Sequence, residues 1–199
     1  ELRNIFPNFE GSSLFFGAPL NDDTRFMDLT HTIKEEDSYL LVQRLDRLNF
    51  TIKPDWGSVR IGRQAVTWGN GLMYTAMDIF NPFDPAAVDK EFKTGDDMIY
   101  GQYLQTNGND LQGVMVFRRD PVTEEVEADQ GSVALKYHHV GNAIEVDGLV
   151  AQHYADTLVG AGVNQSIGGA VWRGDLVVTF TEEETVASVV TSISQSWMW

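Results

Sequence analysis

The sequence predicts an all-β protein, an antiparallel up-and-down transmembrane β-barrel with about ten strands by its period-two segments. Three observations support this fold class. Apolar and polar residues alternate with period two along most of the 199 residues. Tight turns and more variable loops alternate between the segments. Many segments approach the roughly 9 to 11 residues that a tilted membrane-spanning strand needs, whereas globular strands average about 5 to 6.

The clearest alternation lies in residues 143–154. As a strand, this segment would have one apolar and one charged face, because successive side chains point to opposite sides. The apolar face would carry Ile144, Val146, Val150 and Tyr154, and the charged face would carry Glu145, Asp147 and His153. The same pattern recurs in residues 132–139, 157–166 and 170–181.

Weaker alternation predicts the remaining strands. These lie at residues 24–32, 39–52, 58–68, 97–106, 110–119 and 186–199. In the second of them the pattern slips at residues 44–46, where a β-bulge would restore the faces.

The connections predict two unlike rims. Short turn signals are Lys53-Pro54-Asp55-Trp56-Gly57, Asn107-Gly108-Asn109, Gly141-Asn142 and Gly168-Gly169. The intervening connections are residues 69–96, 120–130, 155–156 and 182–184. In a meander, alternate connections fall on opposite rims, which gives the short turns and longer loops of outer-membrane barrels. Greek-key sandwiches mix the two kinds.

Energetics predicts which face would meet lipid. A Lys or Arg at the bilayer midplane costs roughly 2 to 4 kcal/mol, so charged residues should point into the lumen. These residues are Lys136, Glu145, Asp147, Arg173 and Asp175. Aromatic residues near strand ends are candidates for interfacial girdles, although strands are also rich in aromatics by propensity. They are Trp56, Trp68, Tyr100, Tyr154, Trp172, Phe180, Trp197 and Trp199.

Composition excludes several classes of protein. A formal net charge of −15 disfavours nucleic acid as a partner, since phosphate binding needs clustered Lys and Arg. No apolar run approaches the roughly 18 residues of a membrane-spanning helix. Cysteine is absent, and neither a Gly-x-Ser-x-Gly elbow nor a His-Glu-x-x-His helix occurs. We therefore expect no enzyme activity, no cofactor and no metal site. The acidic loops 120–129 and 182–184 offer oxygen ligands for calcium or magnesium, but neither has the spacing of an EF-hand, and we expect them to be solvated.

Residues 61–85, IGRQAVTWGNGLMYTAMDIFNPFDP, and 89–100, DKEFKTGDDMIY, carry a family resemblance. They resemble a poorly characterised group of proteobacterial porin-like outer-membrane barrels, which share a Gly-Arg-Gln-x-x-x-Trp-Gly strand end followed by an Asn-Pro loop. The resemblance is strongest over residues 39–120 and weaker through residue 199. It implies an outer-membrane location, a barrel of more than ten strands and a pore-like role. Members of this group continue past the counterpart of Trp199, so we expect a partial barrel. A terminal Trp after a strand, however, also resembles the aromatic residue with which outer-membrane barrels end.

The long connection 69–96 is the best candidate for a functional element, because such loops are usually functional or disordered. Folded inward, it would constrict a pore, with Pro82 and Pro85 stiffening it; the alternative is a surface loop that only packs and caps. The pore-lining and constriction candidates are Arg63, Gln64, Trp68, Asp78, Asp84, Asp89, Lys90, Lys136, Glu145, Asp147, Arg173 and Asp175. The charged wall residues would set ion selectivity or form a satisfied network that stiffens the wall.

Together these patterns predict one β-barrel domain over residues 1–199, with residues 1–23 unassigned. The expected function is an outer-membrane porin-like channel for passive or selective diffusion of small polar solutes. Its partners would be outer-membrane lipid, lipopolysaccharide, and a second copy or another outer-membrane component. Two alternatives stay open: a non-conducting barrel that serves as a scaffold or partner-binding wall, and a soluble β-sandwich that binds a ligand.

Overall fold

The computed structural model describes residues 22–36, 39–72, 74–80, 82 and 93–195. Over these residues the protein is built from eleven β-strands. They are β1 (Thr30–Glu36), β2 (Tyr39–Arg44), β3 (Leu48–Ile52), β4 (Gly57–Gln64), β5 (Asp96–Leu104), β6 (Asp110–Val116), β7 (Ser132–Val140), β8 (Ile144–His153), β9 (Asp156–Ile167), β10 (Ala170–Phe180) and β11 (Thr185–Gln195). Within the described chain there is no helix of the length and apolarity that a membrane crossing requires.

Strands β3 to β11 form a single nine-stranded antiparallel sheet in which every strand pairs with its neighbours in the chain. Strands β1 and β2 form a separate two-stranded sheet. The predicted all-β antiparallel meander is confirmed. Among the described residues, β3 and β11 are the two edges of the large sheet.

Three segments differ from their predicted boundaries by several residues. The predicted strand at residues 24–32 overlaps β1 (Thr30–Glu36) only at residues 30–32. Residues 39–52 are two strands in different sheets, because residues 45–47 leave the first sheet, where the Leu45 amide bonds the Leu29 carbonyl at 2.9 Å. The slip at 44–46 is thus a break between strands, and the predicted bulge was wrong. The predicted strand 58–68 ends at Gln64, since the chain there turns onto one face of the sheet.

The predicted asymmetry of the connections is confirmed. Residues 53–56, 105–109, 141–143 and 168–169 connect strand pairs at one rim, and residues 65–95, 117–131, 154–155 and 181–184 connect them at the other. Gly108 at φ +90° and Gly168 at φ +56° occupy the left-handed conformation that tight turns need. We refer below to the short-turn rim and the long-loop rim.

One face of the nine-stranded sheet is apolar and exposed. Antiparallel partners share a face, and the paired row Leu135, Val150, Val159 crosses β7, β8 and β9 with each side chain about half exposed. This face continues to both edges of the sheet. Its exposed apolar residues are Leu48, Phe50, Ile52, Ile61, Ile99, Tyr103, Met115, Val133, Leu135, Tyr137, Ile144, Val146, Val150, Val159, Leu176, Phe180, Val189 and Ile193.

The opposite face is buried and carries charged residues together with apolar ones such as Leu149 and Val177. Asp147 is only 3% exposed and Asp175 only 2%, although Val146 and Leu176 next to them in sequence are 40% and 42% exposed. The faces predicted for β7 to β10 are confirmed. A soluble sandwich would have the reverse arrangement, with its apolar faces buried and its charges in water.

The sheet is strongly curved, with the polar face on the concave side. The Asn70 amide donates to Asp175 Oδ2 at 2.9 Å, although Asn70 follows the end of β4 by six residues and Asp175 lies in the middle of β10. Six strand spacings between β4 and β10 amount to about 29 Å in a flat sheet. Six extended residues span at most about 22 Å, so the sheet must curl around this segment.

Candidate functional site

The concave face is covered by the segment that follows β4. Residues 65–72 and 74–80, which we call the inner loop, place Trp68, Met77 and Phe80 against the sheet with 3%, 0% and 2% of their surfaces exposed. These side chains and the concave-face residues Tyr100, Leu149 and Val177 belong to one apolar cluster. The long connection therefore folds inward, and its described part does not cap the surface.

Trp68 anchors the inner loop to the middle of the sheet. Its indole Nε1 donates to Gln112 Oε1 on β6 at 2.7 Å, so the buried indole keeps a hydrogen-bond partner. Its ring packs edge-on against Phe80 with 5.5 Å between centroids, and Phe80 packs against His153 at 5.8 Å. Trp68, predicted as a constriction residue, thus lies on the concave face.

Asp78 and Lys93 hold the base of the long connection. Lys93 Nζ lies 2.6 Å from Asp78 Oδ1 and 2.7 Å from the Val66 carbonyl oxygen. Burial raises the pKa of Asp78 above its ordinary value even though Lys93 opposes the shift. Asp78 is therefore a buried, paired carboxylate within the inner loop.

Asn70, two residues after Trp68, attaches the inner loop to the far side of the sheet. Its side-chain Nδ2 donates to Asp147 Oδ2 on β8 at 3.0 Å and to Asp175 Oδ1 on β10 at 3.2 Å. The amides of Asn70 and Gly71 also donate to the Asp175 carboxylate. Asn70 was not among the residues predicted from the sequence. The available signal was its place between Gly69 and Gly71, which lets the backbone approach a carboxylate closely.

The predicted wall charges fall into two groups. Lys136 and Asp147 form a buried pair at 3.0 Å, and His138 Nδ1 lies 2.8 Å from the same Asp147 oxygen. Glu145 and Arg173 are half-buried nearer the short-turn rim. There Glu145 accepts from Asn164 at 3.1 Å, and Arg173 donates to Ser194 at 2.8 Å. All the predicted wall charges, Asp175 included, lie on the concave face.

Arg63 has a different place from the one expected. It shares the face of Ile61 and is fully buried at the long-loop rim, where it donates to both carboxylate oxygens of Asp97 at 2.9 and 3.1 Å and to Asp22 at 2.9 Å. Arg63 thus attaches residues 22–29 to the sheet, whereas the sequence predicted that it would line a pore. Gln64 points to the concave face, where its Nε2 donates to the Met98 carbonyl at 3.4 Å.

Other predicted residues divide between the two faces. Trp68 and Tyr100 are buried on the concave face, so the girdle prediction was wrong for them. Trp56, Tyr154 and Phe180 are 48%, 42% and 47% exposed, and Trp56 contacts Tyr103 with 6.3 Å between ring centroids. Trp172 is half-buried on β10, where its Nε1 donates to Thr191 at 2.9 Å. Six further candidates fall outside the described residues; they are Asp84, Pro85, Asp89, Lys90, Trp197 and Trp199.

The acidic loop after β6 is organised by its own backbone. Asp120 accepts hydrogen bonds from the amides of Val122 and Thr123, at 2.7 and 2.9 Å, and these bonds lower its pKa. Within the part of the chain that is described, no group of three or more His, Asp or Glu is arranged to hold a metal ion.

Chemically, the site is a polar wall crossed by an inward-folded loop. Buried carboxylates and cations line the concave side, and backbone and amide donors of the loop satisfy two of them. Where this face is only half-buried, as at Glu145 and Arg173, it can contact water and small polar solutes. The sequence matches no protein-family model, no curated protein and no solved structure at a significant level, so the function is argued from this geometry.

Proposed function

We propose that this chain forms the wall of a Gram-negative outer-membrane β-barrel through which small polar solutes diffuse, with the inner loop narrowing the passage. One observation carries the proposal: the curved sheet exposes its apolar residues on the convex side and buries its charges on the concave side. The apolar side then contacts lipid hydrocarbon, and the charged side surrounds a wet lumen.

The area of the apolar face supports lipid contact over contact with water. Nine strands at about 4.8 Å spacing, each contributing about seven residues, present on the order of 1,000 Å². The largest apolar patch on a typical soluble monomer is roughly 300 to 600 Å². Phe50, Val189 and Ile193 on this face are 67%, 71% and 68% exposed, which water would disfavour.

Aromatic residues lie at both ends of the apolar face, where the two membrane–water interfaces would be. Trp56, Tyr103 and Tyr137 lie on or beside it at the short-turn rim, and Tyr154 and Phe180 lie at the long-loop rim. Aromatic rings favour the boundary between hydrocarbon and water, since they combine an apolar body with polar or polarisable edges. The two rims would then be the two membrane interfaces, with the short turns on the periplasmic side.

Conduction depends on how the barrel closes. Closure requires the edges β3 and β11 to pair with each other or with further strands. A barrel of about eight strands is nearly filled by its side chains, whereas about 16 to 18 strands leave an aqueous channel. The inner loop adds to the filling, so a pore requires additional strands around it.

A non-conducting barrel is the second candidate. The observation that favours it is the tight contact between loop and sheet, in which Met77, Trp68 and Phe80 are almost completely buried. In that case the loop is a plug, and the barrel is a scaffold that binds a partner at its long-loop rim.

The test combines solubility with transport. The barrel is purified with all of its strands, whether they come from one chain or from several copies, and is transferred from detergent to plain buffer and, separately, to liposomes and planar bilayers. The proposal expects aggregation in plain buffer, strand-rich insertion into liposomes and discrete single-channel steps. Insertion without steps or solute flux would favour the plugged scaffold. A folded, monodisperse protein in plain buffer would overturn both membrane candidates.

A further inference from the structure

The polar contacts that join the inner loop to strands β8 and β10 centre on one residue, beside the apolar packing of Met77 and Phe80 on the same sheet. We propose that Asn70 is the latch that holds the inner loop against the wall, that Gly162 is its seat, and that releasing Asn70 lets the loop leave the concave face and widens the passage. This inference rests on the proposed function only for its transport consequence.

Asp175 depends on the loop for its hydrogen bonds. Its carboxylate is 2% exposed, and it accepts from the Asn70 amide, Asn70 Nδ2 and the Gly71 amide. Among the described residues no cation forms an ion pair with it. A buried carboxylate without a cation needs such donors, because an unsolvated charge is costly. The contact therefore stabilises the carboxylate and the loop position together.

Asp147 gives the latch its second attachment. It differs from Asp175 in having Lys136 and His138 on its Oδ1 atom, while Oδ2 accepts from Asn70 Nδ2 at 3.0 Å. One amide group thus bridges β8 and β10 over the intervening strand β9. An aspartate at position 70 would replace this donor with an oxygen facing two carboxylates.

Gly162 on β9 provides the space in which the latch sits. A Cβ atom at this position would lie 2.7 Å from Asn70 Nδ2, 2.9 Å from Asp175 Oδ1 and 3.0 Å from the Met77 sulfur. The side-chain ends of the latch and of the fully buried Met77 therefore fill the volume that any larger residue would need. Its pairing partner Asp147 is one of the two latch carboxylates.

The latch is the outer of two attachments. Trp68 and the Lys93–Asp78 pair hold the loop near its base at β4 to β6, whereas Asn70 alone among the described loop side chains hydrogen-bonds to β8 and β10. Loss of Asn70 should therefore free the tip and leave the base in place. We therefore expect a folded barrel in which the inner loop has moved away from the concave face.

The experiment uses the absence of natural cysteine. A reporter Met77→Cys is fully buried when the loop is seated, and its labelling by a maleimide in folded protein is compared with that of Leu72→Cys, a site 58% exposed. We expect Asn70→Ala and Asn70→Asp to accelerate labelling of the Met77 reporter at least about tenfold, with Asn70→Asp the stronger. Labelling at Leu72 should change little.

A rescue and a substitution at Gly162 separate the latch from general damage. Asn70→Asp combined with Asp175→Asn returns a donor to the pair and should restore much of the protection. Gly162→Ala places a Cβ 2.7 Å from Asn70 Nδ2 and should therefore accelerate labelling of the Met77 reporter, as the Asn70 variants do. The matched control Gly148→Ala has open space around its Cβ and should change neither labelling nor conductance.

Unchanged labelling of the Met77 reporter in both Asn70 variants would overturn the latch, whatever the conductance. Faster labelling with no conductance in any variant would retain the latch and refute the proposed pore. The two failures are thus distinguishable.

Discussion

Arg63 and Asp97 face each other across β4 and β5 in a bidentate ion pair, fully buried, with distances of 2.9 and 3.1 Å. Asp22 joins the same guanidinium at 2.9 Å and also accepts from Arg25 and the Leu29 amide. This network attaches residues 22–29 to the end of the sheet. Through this network Arg63 stabilises the long-loop rim.

Replacing Arg63 should strongly lower the free energy of unfolding. Arg63→Met leaves the buried Asp97 without its cation and leaves Asp22 with Arg25 alone, and removing one partner of a buried ion pair typically lowers the free energy of unfolding by about 3 to 5 kcal/mol. Urea or guanidinium unfolding from a bilayer, followed by Trp fluorescence, measures the change. The control Arg47→Met breaks an exposed pair with Asp46 and should cost less than about 1 kcal/mol. Equal effects of the two variants would contradict the buried network.

The docking of residues 22–29 should depend on pH. Burial acts to raise the pKa of Asp22, but hydrogen bonds from Arg63, the Leu29 amide and Thr30 outweigh it, so the pKa lies below its ordinary 3.8. A lowered carboxyl pKa gives stability that is present above the ordinary value and is lost as pH falls through the folded pKa. Hydrogen-exchange protection of the Leu29 amide should therefore fall in acid, below about pH 4. Asp22→Asn should weaken this dependence; an identical acid profile would exclude Asp22 as its source.

Gly62 should tolerate no side chain. Its φ is +121°, and a Cβ there would lie 2.3 Å from the Leu48 carbonyl oxygen of the neighbouring strand. Because the obstacle is backbone, Gly62→Ala must separate β3 from β4, with a cost of about 2 kcal/mol or more from backbone strain and lost strand bonds. Gly101→Ala on β5 meets nothing within 4 Å and is the matched control. Unfolding midpoints that agree for the two alanine variants would refute the close approach.

Trp68 should contribute more to the free energy of unfolding than Trp56, which lies at the short-turn rim. Trp68→Ala removes a buried indole and its bond to Gln112, and large-to-small changes of this kind cost about 3 to 5 kcal/mol. Trp56→Ala removes a half-exposed ring at the short-turn rim and should cost less. Thermal unfolding of the two variants in the same detergent gives the comparison. A smaller loss for Trp68→Ala would be inconsistent with its place beneath the inner loop.

Local patterns were sufficient to predict the strands and their faces. Period-two alternation around Asp147 and Asp175 placed both on the charged face, because strand geometry is set by adjacent residues. The turn glycines Gly108 and Gly168 likewise require only their own backbone conformation. The split of residues 39–52 was not predictable in this way, since it depends on which sheet each half joins.

The site depends on contacts that no local pattern contains. Asn70 and Asp175 are 105 residues apart, and they meet only because the sheet curls around the inner loop. Arg63 and Asp22 are 41 residues apart and meet because the chain before β1 returns to the rim. Hydropathy could indicate an inward loop after Trp68, but it could not identify the latch or separate Arg63 from the lining residues.

Two arginine substitutions, one on the convex apolar face and one in a loop, test most directly whether that face contacts lipid. Val150 lies in the middle of this face and is 50% exposed, whereas Val122 lies in a loop and is 86% exposed. In water both substitutions would be nearly neutral. In a bilayer, Val150→Arg should lower the free energy of unfolding by about 2 to 4 kcal/mol, with Val122→Arg changing it by less than about 0.5 kcal/mol. Equal stability of the two variants, in a protein that stays folded without detergent, would contradict the account.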